Sequence, residues 1–153
     1  MSFEKAKNHI KKYKLEKKIM EFDVSSATVA EAAQAINCKE EEIVKTLSFL
    51  VNDKPILICT SGDSKIDNSK YKNEFKVKAK MINFDDVEKL IGHAVGGVCP
   101  FGINEDVDVY LDESLKKLKT LYPACGSSNS AVKLTLKELE EISNYKKYIN
   151  VCK

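Results

Sequence analysis

Two β-rich runs, Glu42 to Val51 and Lys54 to Thr60, flank the dipeptide Asn52-Asp53, and no other stretch constrains the fold as strongly. Asn and Asp tolerate the left-handed backbone that a two-residue hairpin turn demands, so the runs are expected to pair antiparallel. The second run, Pro55-Ile56-Leu57-Ile58-Cys59-Thr60, is apolar nearly throughout rather than alternating. A strand of that kind is buried on both faces, which makes it a central strand between covering layers.

The remaining periodicities supply those layers. The spacing predicts a lysine-rich helix from about Phe3 to Lys18 and a short strand at Ile19 to Phe22. Thr28 with Glu31 three residues later is a capping box, opening a helix whose face is Val29, Ala32, Ala33 and Ile36. Further helices are expected at Asn68 to Phe75 and Asp85 to Ile91, the latter stopped by Gly92, with a short strand at Lys78 to Ile82 between them. Val107 to Leu111 alternates as a half-buried strand, and Leu121 to Ala124 and Ala131 to Leu134 are further strand candidates. Thr135 and Glu138 form a second capping box before a last helix through Ile142. Short strands mixed with helices over 153 residues indicate one compact α+β domain.

Composition narrows the function classes. With 43% apolar and 31% charged residues the chain is globular, and no apolar run nears the roughly 20 residues that span a bilayer. No apolar segment follows the N-terminal lysines, so no secretory signal is read and a cytoplasmic protein is expected. Cys38, Cys59, Cys99, Cys125 and Cys152 are scattered, with only two histidines to join them, so neither a metal site nor any other cofactor is expected. They are read as reduced, mostly buried thiols. All 25 basic residues are lysine, so any RNA contact would be salt-dependent and weakly sequence-reading. The lysines of the first helix fit either a solvated face or a tRNA-facing patch.

Chemistry is concentrated in two places. Gly92 to Gly102 holds four of the six glycines, with Pro100 fixing the backbone beside them. A loop both permissive and pinned suits recognition by main-chain groups. The other place is Lys45, which shares a strand face with the apolar Ile43 and Leu47. It is either an edge lysine reaching solvent or a cation held for a partner. No G-x-S-x-G elbow, P-loop or H-E-x-x-H helix occurs, and His93 beside the glycines reads as structural or catalytic.

Ile43-Val44-Lys45-Thr46-Leu47, the loop Gly96-Gly97-Val98-Cys99-Pro100-Phe101-Gly102, Val109 to Leu115 and Tyr122-Pro123-Ala124-Cys125-Gly126 occur in order at suitable intervals. Together they resemble the YbaK/EbsC family, whose domain is also inserted in bacterial prolyl-tRNA synthetases as an editing module. The likeness is strongest over residues 27–142, and residues 1–153 are expected to form a single such domain.

The resemblance implies a mixed, mostly antiparallel barrel-like sheet surrounded by helices, and deacylation of mischarged aminoacyl-tRNA. It assigns the reaction to Lys45 and to the loop of Gly96, Gly97, Val98, Cys99 and Pro100, with Thr46, His93, Phe101, Gly102, Gly126 and Ser127 binding substrate. The ester would be cleaved without a side-chain nucleophile, by a water that the backbone loop and the substrate ribose hydroxyl position, or by a substrate thiol. Cys99 stands where relatives often carry serine, and no Cys-His spacing marks it as activated. The expectation is a freestanding, monomeric trans-editing enzyme for a small amino acid such as alanine or cysteine on the tRNA for proline. Its partners would be the acceptor end of aminoacyl-tRNA and prolyl-tRNA synthetase. A non-catalytic module binding aminoacyl-tRNA or a synthetase is the alternative, and hydrolysis of another activated ester a third.

Overall fold

Asn52 and Asp53 both take positive φ, 49° and 69°, as the two-residue hairpin turn requires. They join β2 (Ile43–Val51) to β3 (Lys54–Ser61) in an antiparallel ladder running from Val44 against Ser61 to Val51 against Lys54. The computed structural model describes residues 2–153. On the far side of β3 lies β4 (Asp108–Asp112), parallel to it, followed by β8 (Tyr148–Ile149). On the far side of β2 come β5 (Thr120–Pro123), parallel, and β7 (Leu134–Thr135), antiparallel to β5. The six-stranded order is thus β7-β5-β2-β3-β4-β8. A two-stranded sheet of β1 (Ile19–Glu21) and β6 (Ser130–Val132) joins it through a bridge between Ala124 and Ala131. The result is a mixed sheet curled into a half-barrel, with antiparallel pairs forming most of its register.

The central strand is buried on both faces because its two sets of side chains enter different cores. Leu57 and Cys59 join Val44, Val109 and Leu111 in the main core. That core is covered by α1 (Ser2–Lys11), α4 (Val87–Ile91) and α5 (Leu136–Ile142) through Ala6, Ile10, Ile91, Leu139 and Ile142. Ile56 and Ile58 face the other way, onto Phe49, Ile149 and Tyr71 of α3 (Asn68–Phe75). Each fully buried Leu or Ile contributes roughly 1.5–3 kcal/mol relative to an exposed one. The capping box of Thr28 and Glu31 is formed and starts α2 (Val29–Ile36), which lays Ala32 and Ala33 on Ile43. Thr135 and Glu138 do the same for α5.

Four elements differ from their sequence reading. The first helix ends at Lys11, because Lys14 turns left-handed (φ 62°) and Leu15 folds back to pack on the main core. The expected strand at Lys78 to Ile82 is reduced to one bridge, Met81 to Phe49. Ala131 to Leu134 divides at Lys133, whose N–H donates to the Lys18 carbonyl, so β6 pairs with β1 and β7 with β5. β8 has no sequence signal of its own. Buried Asp112 places the chain just beyond it, its carboxylate accepting from Val151 N–H and Ser114 N–H, both at 2.9 Å. Among the described residues no helix is long and apolar enough to cross a membrane.

Both histidines are held neutral. His9 Nε2 meets the Ile142 carbonyl at 2.6 Å, and its Nδ1 accepts from Gly102 N–H at 3.1 Å. Buried His93 places Nε2 2.5 Å from the Phe101 carbonyl. A carbonyl only accepts, so in each ring Nε2 carries the proton. Burial is the main cause that lowers both pKa values from the usual 6.5. The unfolded chain therefore takes up protons first as pH falls, and stability is full above about pH 6.5 and declines below it. Urea unfolding at pH 7.5 and 5.5 should show that loss, at most about 1.4 kcal/mol per pH unit for each histidine. His9→Leu should be less stable at pH 7.5 yet have a shallower slope.

Candidate active site

β2 is paired with β3 along its length, but its other edge has two separate neighbours. β5 reaches only Ile43 and Val44. The segment after α3 reaches only the far end, where Leu50 N–H donates to the Lys80 carbonyl (2.8 Å) and Ile82 N–H to the Ser48 carbonyl (3.2 Å). Backbone groups alternate sides along a strand, so the edge that receives those of Ser48 and Leu50 also receives those of Thr46. Thr46 lies in the gap, with no strand partner on that edge among the described residues. A cavity of about 350 Å³ opens over this gap.

The cavity walls come from distant parts of the chain. Lys45, Thr46, Leu47 and Ser48 form the strand side, and Ser26 to Val29 with Ala32 form the start of α2. Met81, Ile82, Phe84 and Val87 of the α3–α4 connection and the start of α4, Val95, Gly96 and Val98 of the glycine loop, and Tyr122, Ala124, Ser130 and Ala131 complete the lining. The wall is mostly apolar with a few convergent polar groups, and the volume falls within the range of small-ligand sites.

The loop is shaped by its glycines in two ways. Gly96 has φ 95°, a conformation that costs an L-residue about 1–2 kcal/mol. Gly97 lies so close to the next loop that an added Cβ would sit 2.5 Å from Ser127 N and 2.6 Å from Gly126 C. Gly97 N–H donates to the Ala94 carbonyl at 3.0 Å. The amides of Gly96 and Val98, both cavity-lining residues, have no hydrogen bond among the described residues. Unpaired main-chain N–H groups are the kind of donor that can stabilise an oxyanion.

Lys45 is half-buried, and its ammonium donates to the Ser64 carbonyl. That bond uses one of three N–H donors, and Lys45 is itself one of the residues lining the cavity. Beneath the neighbouring position, Thr46 Oγ1 lies 3.7 Å from Cys59 Sγ, a thiol pushed up by burial to about 12.

The aminoacyl-tRNA editing domain model matches residues 23–142 of this sequence. The chain belongs to the aminoacyl-tRNA editing domain family. It is 47% identical to the Bacillus subtilis (strain 168) protein YwhH, over all of this chain and 98% of that one. It is 27% identical over 107 residues to a proline–tRNA ligase of Caldicellulosiruptor saccharolyticus, covering 69% of this chain but 18% of the ligase. Its fold superposes with TM-score 0.88 on a crystal structure described as a candidate trans-editing enzyme for prolyl-tRNA synthetase. The identity there is 27%, over 99% of this chain and 97% of that one.

In this editing domain the residues singled out from sequence fall into three groups. Lys45, Thr46, Gly96 and Val98 line the cavity. Gly97, Cys99, His93, Phe101, Gly126 and Ser127 stand behind it. Gly97 packs on Gly126 and Ser127, and Ser127 Oγ reaches cavity-lining Ser130 Oγ at 2.5 Å. His93, Cys99 and Phe101 are wholly buried. Cys99 Sγ lies 3.5 Å from His93 Nε2, but that nitrogen bears the proton given to Phe101, so it cannot serve as a base. Burial raises the Cys99 thiol far above its ordinary pKa. Pro100 and Gly102 face a different hollow, against Lys5, His9 and Lys12 of α1 and the turn after it. Among the described residues no three His, Cys, Asp or Glu side chains form a metal-holding group.

Sequence reading missed Ser26, Ser48, Met81, Phe84 and Ser130 as wall residues. Tyr122 and Ala124 lie in the Tyr122 to Gly126 motif, and both line the cavity. Nothing local singles out Met81 and Phe84, because Val77, Ala79 and Ile82 lie in the same connection.

Proposed function

We propose that this chain is a trans-editing deacylase that hydrolyses the ester of a mischarged aminoacyl-tRNA. Its substrate is a small amino acid, alanine or cysteine, on the tRNA for proline, and prolyl-tRNA synthetase is its partner in translation. The observation that carries this reading is the meeting of Lys45 with the free Gly96 and Val98 amides around one small, largely apolar cavity. A cavity of about 350 Å³ admits a small side chain with its ribose and leaves the rest of the tRNA outside.

The reaction needs little from side chains, because the ester is already activated. Water attacks the carbonyl carbon, and the electron pair of the C=O bond moves onto oxygen. The Gly96 and Val98 amides and the Lys45 ammonium stabilise the resulting oxyanion. Collapse breaks the bond to the ribose oxygen. The proton lost by the attacking water passes to that oxygen through the neighbouring ribose hydroxyl, so no protein base is required. With a cysteinyl ester the substrate's own thiol is the alternative nucleophile. The Thr46 backbone at the strand gap offers one donor and one acceptor to orient the aminoacyl group.

A deacylation time course on alanyl-, cysteinyl-, seryl- and prolyl-tRNA bearing the proline anticodon tests the reading. Rapid loss of a small mischarged species with prolyl-tRNA spared is the expected result. Binding of every species without turnover would replace it with the non-catalytic module, and hydrolysis of simple esters with no effect on tRNA species would replace both.

A further inference from the structure

We propose that Phe84, with Met81 and Val95, forms a stacking platform for the unpaired 3′-terminal base of the RNA whose ester enters the cavity. This inference rests on the deacylase reading for the RNA's identity, but its evidence is separate. Phe84 is 74% exposed, Met81 56% and Val95 46%, an unfavourable arrangement for three large apolar side chains. They come from two segments, the α3–α4 connection and the glycine loop, and line the same cavity. Among the described residues only Tyr13 and Val24 are comparably exposed large apolar side chains, and neither lines it.

Charge points to the kind of occupant. Lys76, Lys78 and Lys80 precede Met81 at alternate positions, all exposed, and none forms an ion pair among the described residues. The backbone at the end of this run is held against β2 by the Leu50–Lys80 and Ser48–Ile82 hydrogen bonds, so Lys80 is fixed beside cavity-lining Met81. An apolar, aromatic rim at the end of a cationic track matches a single-stranded nucleic-acid end, whose bases stack while its phosphates meet lysine. An apolar peptide would leave the lysines without partners.

The test uses acceptor-stem RNA hairpins ending in adenosine or in an abasic ribonucleoside, uncharged and fluorescently labelled. Binding by anisotropy needs no catalysis, so it separates this proposal from the deacylase reading. Wild type should bind the adenosine hairpin about tenfold more tightly than the abasic one, a ratio within the range for one stacked base. Phe84→Ala should lose that ratio by weakening only the adenosine hairpin, and Phe84→Trp should restore it. The exposure of Phe84 predicts an unchanged Tm for both variants, which excludes misfolding as the cause. Equal weakening of both hairpins by Phe84→Ala, or a wild-type protein indifferent to the terminal base, would overturn the proposal. Should these ratios appear while no charged tRNA is hydrolysed, the platform stands and the deacylase reading falls.

Discussion

Lys45→Ala is expected to slow deacylation of the preferred mischarged tRNA by about 10²–10³-fold, equivalent to about 2.7–4 kcal/mol of lost oxyanion stabilisation. The loss should appear in kcat, because the charge that Lys45 meets grows only as the tetrahedral species forms. The fold should survive. Lys45 is half-buried on a strand whose ladder to β3 is unchanged, and its one bond within the fold is to the Ser64 carbonyl. A fall in Tm of a few degrees is the expected cost of leaving that carbonyl without its cation. Single-turnover deacylation beside thermal unfolding makes the comparison. A wild-type rate in the variant would remove Lys45 from the chemistry and leave the Gly96 and Val98 amides as its only carriers.

Gly97→Ala is expected to be the more damaging change, although the residue lies behind the cavity. Its Cβ would sit 2.5 Å from Ser127 N, 2.6 Å from Gly126 C and 2.8 Å from Ser127 Cα, all backbone atoms that cannot rotate away. Relief requires the two loops to separate, at a cost of roughly 1–3 kcal/mol and a Tm lower by several degrees. Separation also moves the amides on either side, and a displacement near 1 Å costs on the order of 10²-fold in rate. The variant should therefore lose activity at temperatures where it remains folded. Gly96→Ala makes a useful contrast. Its Cβ would meet the side chains of Ala27 and Ser128 at 3.3 and 3.4 Å, a far milder crowding than at Gly97, so the strain there comes mainly from φ 95°. Activity kept by Gly97→Ala at unchanged Tm would show that the loops part without moving the site.

The fold was legible wherever a local signal had one physical solution. Asn52-Asp53 between two β-rich runs admits a tight hairpin, and Thr28/Glu31 and Thr135/Glu138 each admit a helix start. Signals without such an anchor misled. The lysine pattern predicts a first helix longer than the one formed, because lysines continue beyond Lys11 and nothing in their pattern marks the left-handed turn at Lys14. β8, two residues long, exists because Asp112 holds the chain beside it from 39 positions away.

The sequence by itself determined the chemistry available: a lysine among apolar neighbours, a glycine loop pinned by proline, and motifs in the order of an editing domain. Those properties belong to single residues and short spacings. Tertiary structure alone decided how they are divided, with Gly96 and Val98 at the cavity and Gly97 and Cys99 behind it. It also decided that Thr46 faces an open strand edge, and that Met81, Phe84 and Val95 line one cavity. The physical reason is that a cavity is made where neighbours are missing. A gap between β5 and the segment before α4 is a property of pairings between distant residues, and no local stretch of chain encodes it.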